Sequence, residues 1–473
     1  MSFGFGFALP AYPLRGGGGN NPFNQLGPTL DLAFPGVVTD LTDPNGYTLN
    51  TDFIIPQYQI AAQYVVWDTG VGLVEKTFSQ IITFTRASTA TYFDSAGVLQ
   101  SAAIDAPRLD YNPSTLAAQG LLIEEARTNS IRNNTMQGAV AGTPGTLPTN
   151  WSIFTALTGL TRTVVGTGTE NGITYIDIRL NGTPSGAGVW FIQTETSTQI
   201  SASNGQTWTG SAYYKLQAGS TTGITAFLNA TSERDAGGND LGSISTTFTP
   251  TSAALSTQRV SSSITNSNAS TAAEIQFLRL NLSGVAIDIT LRIGLPQLEL
   301  GAFATSVIPT TTTALTRSAD VAAVNTLSPW FNSAEYTLFH EGMVLTNDDG
   351  IVYSGVGDTF DNTAYFSRVA PNQVGAVRSG AAVSAQMLIT TTPSSGVPFK
   401  MAMKVKANDF AFCVNGGSVI TDTSGAVPVS TVRLGIGNAP WTALGGNGKQ
   451  HWVRRITFYP RGLSSAELQT ITV

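Results

Sequence analysis

Two histidines, His340 and His451, are the only imidazoles in a chain of 473 residues, and each lies inside a strand-like run. A zinc site needs His or Cys clustered at ligand spacing, and neither histidine has such neighbours. No serine elbow or glycine cradle accompanies them either, so both read as structural residues. The pair Glu124-Glu125 is the sharpest hint of acid–base chemistry. Adjacent side chains on a strand leave opposite faces, however, so the two cannot share one substrate. The run Asn347-Asp348-Asp349-Gly350, with Asp358 and Asp361 nearby, offers the oxygen ligands that Ca²⁺ takes. It lacks the spaced acidic positions of a calcium loop, and a tight hairpin turn explains it equally well. No catalytic residue, metal or cofactor is therefore expected, and the chain reads as non-enzymatic.

Sugar recognition asks for an exposed aromatic ring beside hydrogen-bonding groups. Trp441, in the loop Gly437-Asn438-Ala439-Pro440-Trp441, is the first candidate, with Asn438 beside it; Trp190 is the second. Each tryptophan has a rival reading as a core or interface residue. The single cysteine, Cys413, excludes an intrachain disulfide and sits in Phe410-Ala411-Phe412-Cys413-Val414, where it reads as a small buried apolar residue.

Only 11% of residues are Asp, Glu, Lys or Arg, against about 25% in ordinary soluble domains. Hydrophobic content is 42%, enough for real cores. Thr, Ser, Asn, Gln and 49 glycines make up the difference, which suits pleated surfaces and turns better than solvent-facing helices. Against this background one concentration of charge stands out. Arg86, Asp94, Arg108, Asp110, Glu124, Glu125 and Arg127 fall within one segment and balance in sign, as a structural ion-pair network fixing a junction would. The remaining basic residues are scattered and the net charge is −6, so no nucleic-acid partner is expected.

The chain begins with Phe3, Phe5 and Phe7 alternating with Gly and Ala, then reaches a glycine joint at Gly16 to Gly19. Apolar residues ahead of a flexible joint have little of their own domain to bury in, so these phenylalanines read as a docking peptide. A frayed terminus is the competing account. The start has neither basic n-region nor apolar h-region, so it is not expected to be a signal peptide. No apolar run approaches the roughly eighteen residues of a membrane helix, and no membrane insertion is expected.

The positioning elements are short strands separated by turn signals. From Leu30 to Phe78 they predict a small β region. Between Thr135 and Pro309, runs such as Thr174 to Leu180, Gly188 to Gln193, Trp208 to Leu216 and Glu274 to Leu282 alternate with Asn171-Gly172, Asn181-Gly182 and Gly237-Gly238-Asn239. That spacing predicts a two-sheet jelly roll. A second sandwich follows, with strands at Tyr336 to Met343, Phe399 to Val405, Phe410 to Val414 and His451 to Tyr459. The fold class is all-β: tandem β-sandwich (jelly-roll) domains preceded by an extended N-terminal anchoring segment. The expected divisions are a docking peptide over 1–29, an anchoring region over 30–82, a junction module over 83–134, a jelly roll over 135–315 and a second sandwich over 316–473.

Three runs carry a resemblance. FTRASTATYFDSAGVLQ from Phe84, PRLDYNP from Pro107 and GLLIEEARTN from Gly120 resemble a recurrent module of tailed-bacteriophage tail and virion structural proteins. In such proteins the module precedes jelly rolls of carbohydrate-binding type, and Pro296 to Thr310 resembles the run that closes them. More loosely, Lys404 to Gly416 and Trp452 to Leu468 resemble concanavalin or laminin-G-like lectin domains. The resemblance implies a virion location and a tail fibre, spike or other appendage subunit, docked to other virion proteins by its N-terminus. It also implies homo-oligomers, trimers first, and contact with a host-surface glycan or protein; it supplies no catalytic residues. A capsid head-fibre or decoration protein is the nearest alternative, and a glycan-degrading depolymerase the next.

Overall fold

Runs whose apolar residues recur at every second position fold as strands, because successive side chains leave a strand on opposite faces. Two sandwiches built this way organise the computed structural model, which describes residues 27–35, 63–69, 72–155, 157–345, 350–380, 382–441 and 449–473. The all-β expectation holds: the α-helices among the described residues are Phe78–Ile81 and Ser465–Thr472. Phe3, Phe5, Phe7, Asp348 and Asp349 lie outside the described residues.

The jelly roll pairs a five-stranded sheet with a six-stranded one. In spatial order the first is Leu160–Glu170, Ile173–Gly182, Ile287–Leu300, Thr207–Gly219 and Arg259–Thr265. The second is Ser152–Thr155, Gly188–Gln193, Ala273–Leu282, Ile224–Arg234 and Asp240–Phe248, with Ile200–Ser201 beside Ala273–Leu282. Ile176, Ile178, Leu180, Ile289, Leu291 and Ile293 meet Trp190, Ile192, Leu278 and Leu280 between the sheets. Burying each such side chain contributes roughly 1.5–3 kcal/mol. Trp190 is 3% exposed, so the structure makes it a core residue and corrects its reading as a glycan contact.

In the second sandwich a ten-stranded sheet faces a seven-stranded one. The larger sheet runs Gly72–Lys76, Gln63–Asp68, Leu30–Ala33, His451–Tyr459, Glu335–Val344, Phe399–Lys406, Phe410–Val414 and Ile420–Asp422. Ala118–Ile123 pairs with the start of His451–Tyr459, and Leu109–Tyr111 pairs with Ala118–Ile123. The smaller sheet runs Ala382–Thr390, Asn372–Ser379, Asn362–Val369, Val352–Thr359, Arg433–Ile436, Val321–Val324 and Thr83–Thr85. Trp330, Tyr336 and Phe458 crowd the core, their rings 5.1 Å and 5.3 Å from Phe458. The closing helix is capped by Ser464, whose hydroxyl accepts from Glu467 N while the Glu467 carboxylate accepts from Ser464 N. Cys413 is buried beneath it, as expected, with Leu468.

This arrangement corrects the reading of residues 30–82 as a region of its own. Leu30–Ala33 lies between Gln63–Asp68 and His451–Tyr459, pairing Leu30 with Phe458 and Leu32 with Ile456. All four of its residues are buried, and a four-residue strand buried on both faces has no core except the one it joins. Asp31 secures the join, accepting from Arg455 Nε at 2.8 Å and from Thr457 Oγ1 at 2.6 Å. The jelly roll is thus an insertion within the sandwich that begins and ends the described chain. Its neck is the antiparallel pair Arg127–Asn129 and Leu315–Arg317.

Candidate functional site

On the outer face of the seven-stranded sheet the chain clears its own floor. A Cβ at Gly435 would lie 2.5 Å from the Asn438 carbonyl, and one at Gly355 would lie 2.6 Å from Tyr365 Cβ. With only hydrogens there, the loop after Arg433–Ile436 folds back on the sheet. Gly437, at φ +68°, turns it and donates its N–H to the Tyr353 carbonyl at 2.8 Å. The loop sets the half-buried Trp441 5.0 Å from the Tyr365 ring and 5.2 Å from the Phe360 ring, both edge-on. Phe360 caps the hairpin between Val352–Thr359 and Asn362–Val369 and is 46% exposed. The Arg378 guanidinium lies 4.2 Å from its centroid and 3.0 Å from Asp361. Three aromatic rings with a carboxylate and a guanidinium at the rim form a platform able to stack a sugar ring and bond its hydroxyls.

Sequence reasoning found Trp441 but not its companions. Asp361-Asn362 just after Phe360 was the available signal, an aromatic residue at a polar hairpin tip. Asn438 is 1% exposed and its Nδ2 donates to the Ile436 carbonyl at 3.0 Å, so it braces the loop and does not face a ligand. That corrects its assignment as a glycan contact.

The charges of the junction divide into separate groups. Arg86, Arg108 and Glu124 come together with Arg317 and Asp320, all with side chains at most 1% exposed. Arg108 donates to Glu124 at 2.6 Å and to Asp320, Arg86 reaches Asp320 at 3.0 Å, and Arg317 lies 2.9 Å from Glu124. Burial alone would raise the Glu124 carboxyl, but Arg317, Arg108 and the Ser306 donors outweigh it and hold it at about 2. The other four predicted members stand apart. Asp94 closes the hairpin turn through the Ala96 and Val98 N–H groups, and Glu125 pairs with Arg127 at 2.8 Å in a part-buried pair of its own. Asp110 accepts from Phe93 N at 2.8 Å and Trp452 Nε1 at 2.9 Å. Burial pushes the Asp110 carboxyl up to about 6 in spite of those donors.

Glu124 and Glu125 serve different partners: Glu124 meets Arg108 and Arg317, and Glu125 meets Arg127. The two histidines are wholly buried on neighbouring strands, each ring 5.7 Å from the Tyr353 ring between them. Burial lowers both, His451 to about 4, so each is neutral near pH 7.

No protein-family model matches the chain, and no curated protein matches it. Among solved structures, the sialidase CBM40 of Ruminococcus gnavus bound to α2,3-sialyllactose aligns at 15% identity and TM-score 0.27, covering 30% of this chain and 84% of that one. The tandem CBM22 domains of Paenibacillus barcinonensis Xyn10C align at 11% identity and TM-score 0.22, covering 72% and 98%. Domains LG4-5 of the mouse laminin α1 chain align at 11% identity and TM-score 0.21, covering 60% and 93%.

Proposed function

We propose that the chain is a non-enzymatic, glycan-contacting subunit of a tailed-phage virion appendage, and that the Trp441 platform makes the contact. The observation that carries the glycan reading is the packing of Trp441 on Phe360 and Tyr365, with Phe360 still 46% exposed. Aromatic rings left at a surface with charged groups on their rim offer stacking and hydrogen bonding together, as a polyhydroxylated ring requires. The virion location and the appendage role rest on the sequence resemblance over Phe84 to Asn129 and Pro296 to Thr310. Docking through Phe3, Phe5 and Phe7 and assembly as a trimer belong to the same reading. The non-enzymatic part is supported by how the acid–base groups are engaged: Glu124 is held by two arginines and both histidines are closed off from solvent.

The test is a binding screen of the full chain and its Trp441→Ala variant against host-surface polysaccharides. The expected result is capture of at least one glycan, weakened about tenfold or more in the variant, a loss of about 1.4 kcal/mol, with the thermal midpoint unchanged. Equal binding by both proteins would remove the platform from the account, and shortened glycan chains would replace binding with hydrolysis. Antibody labelling of assembled particles checks the virion part, which fails if purified particles carry no label.

A further inference from the structure

A second concave site lies where the three parts of the fold meet. It is a partly open cleft of about 220 Å³, larger than the ~150 Å³ cavity that accommodates a benzene ring. Each part supplies a polar group to its lining. Asp110 comes from the junction, Arg259 from an edge strand of the jelly roll and Gln450 from the second sandwich. Tyr92, Phe93 and Trp452 supply aromatic surface between them.

Two of these polar groups are incompletely satisfied. Gln450 is 4% exposed; its Nε2 donates to Glu124 at 3.1 Å, while its Oε1 has no hydrogen-bond partner. Arg259 donates through Nη1 to the Thr305 carbonyl at 2.6 Å and through Nη2 to Ser211 at 2.9 Å, yet its buried Nε has none. A buried donor or acceptor left unmet destabilises the fold around it. Gln450 thus carries an unmet acceptor and Arg259 an unmet donor, both in residues that line the cleft. A hydroxyl is both. The Asp110 carboxylate, 6% exposed, already accepts from Phe93 and Trp452 and keeps lone pairs for a further donor.

We propose that this cleft binds a single neutral sugar ring, at a site separate from the Trp441 platform. Hydroxyls of the ring donate to Gln450 Oε1 and Asp110 and accept from Arg259, while its C–H face packs on the aromatic wall. A negatively charged sugar is disfavoured by the carboxylate. Because the contacts come from three parts of the fold, the occupant also holds the jelly roll against the second sandwich. Ordered water is the competing occupant, since it too can donate and accept.

The experiment titrates the full chain with glucose, galactose, N-acetylglucosamine and N-acetylneuraminic acid, read by saturation-transfer NMR and by tryptophan fluorescence, to which Trp452 reports. At least one neutral monosaccharide is expected to saturate at millimolar concentration, with N-acetylneuraminic acid weaker. Trp441→Ala is expected to leave this binding unchanged, which separates it from the platform. Ala304→Phe, which fills the lining with a larger side chain at a half-buried position, and Tyr92→Ala, which removes an aromatic wall, are each expected to weaken it about tenfold or more. Thermal melts accompany both variants, so that a folding defect in one leaves the other to decide. The proposal is overturned if no neutral monosaccharide binds, if both folded variants bind as the wild type does, or if binding disappears in Trp441→Ala.

Discussion

Arg86 Nη1 donates to Asp320 Oδ1 across 3.0 Å, although the two stand 234 positions apart in the chain, and both side chains are wholly out of solvent. The second oxygen of Asp320 takes Arg108 and the Glu124 N–H. Arg86 is fixed further by the Ser88 and Ala103 carbonyls. The segment that leads towards the jelly roll and the segment that leaves it are therefore locked to one another by charge. A buried pair of this kind adds little over an apolar substitute, but breaking it strands a charge.

Replacing Asp320 with Ala should accordingly destabilise the protein by about 3–5 kcal/mol, because Arg86 and Arg108 lose a shared counter-charge. Denaturant melts of Asp320→Ala measure this. A loss below about 1 kcal/mol, the range of an exposed pair, would show that the cluster is not a lock.

The insertion topology predicts how the chain can be cut. A fragment spanning 130–311 keeps the jelly-roll sheets and their core and should melt cooperatively on its own. A fragment spanning 316–473 lacks Leu30–Ala33, Gln63–Asp68, Gly72–Lys76, Thr83–Thr85 and Ala118–Ile123, and should be aggregated or unfolded. Circular dichroism and size-exclusion chromatography of the two decide it; a monomeric, folded 316–473 fragment would contradict the topology.

Acid should weaken the second sandwich through its histidines. His451 falls from an ordinary 6.5 to about 4 on burial, so between those values the unfolded chain binds a proton that the folded chain does not. Stability from this group is fully present above pH 6.5 and is lost as pH falls towards 4. His340, lowered in the same direction by burial and by His451, adds to the effect. Melts of wild type and His451→Gln over this window should show a shallower pH dependence in the variant.

The jelly roll should show the opposite slope. Glu274, fully buried opposite Glu233 on the neighbouring strand, is lifted to about 8 by burial, with Glu233 adding repulsion. The Asn266 side chain and the Arg234 charge pull the other way but do not offset the burial. The folded state therefore holds a proton that the unfolded state has released. Stability is full below pH 4.5 and declines as pH rises to about 8. Glu274→Gln should flatten that decline in melts of the 130–311 fragment, and an unchanged slope would place the proton elsewhere.

Some of this could be read locally. Gly188–Gln193, Phe410–Val414 and His451–Tyr459 have the bounds their alternation predicts, because period-two patterning and flanking turns are properties of adjacent residues. The strand Ile287–Leu300 continues through Pro296, a residue that ordinarily marks a strand's edge, by way of an irregularity at Leu295 with φ +39°. Asn372–Ser379 and Ala382–Thr390 were missed; their Gly, Ser and Thr content looks like a loop until Asn362–Val369 pairs with the first of them. At the candidate site Trp441 was legible as an aromatic residue in a turn-rich loop. Trp190 was equally legible and lies in a core, since the sequence does not say which face of its strand meets the opposite sheet.

The amino-acid sequence by itself determined that the chain forms strands, that its charges gather near residue 100 and that Cys413 and the two histidines lie within strands. Each of these follows from residue type and near-neighbour spacing. Only the tertiary structure decided that Leu30–Ala33 completes a sheet with His451–Tyr459, that Asp320 closes the cluster begun by Arg86, and that Phe360 and Tyr365 join Trp441. Those relationships depend on chain reversals and sheet register, which bring distant residues together with no mark in the intervening sequence.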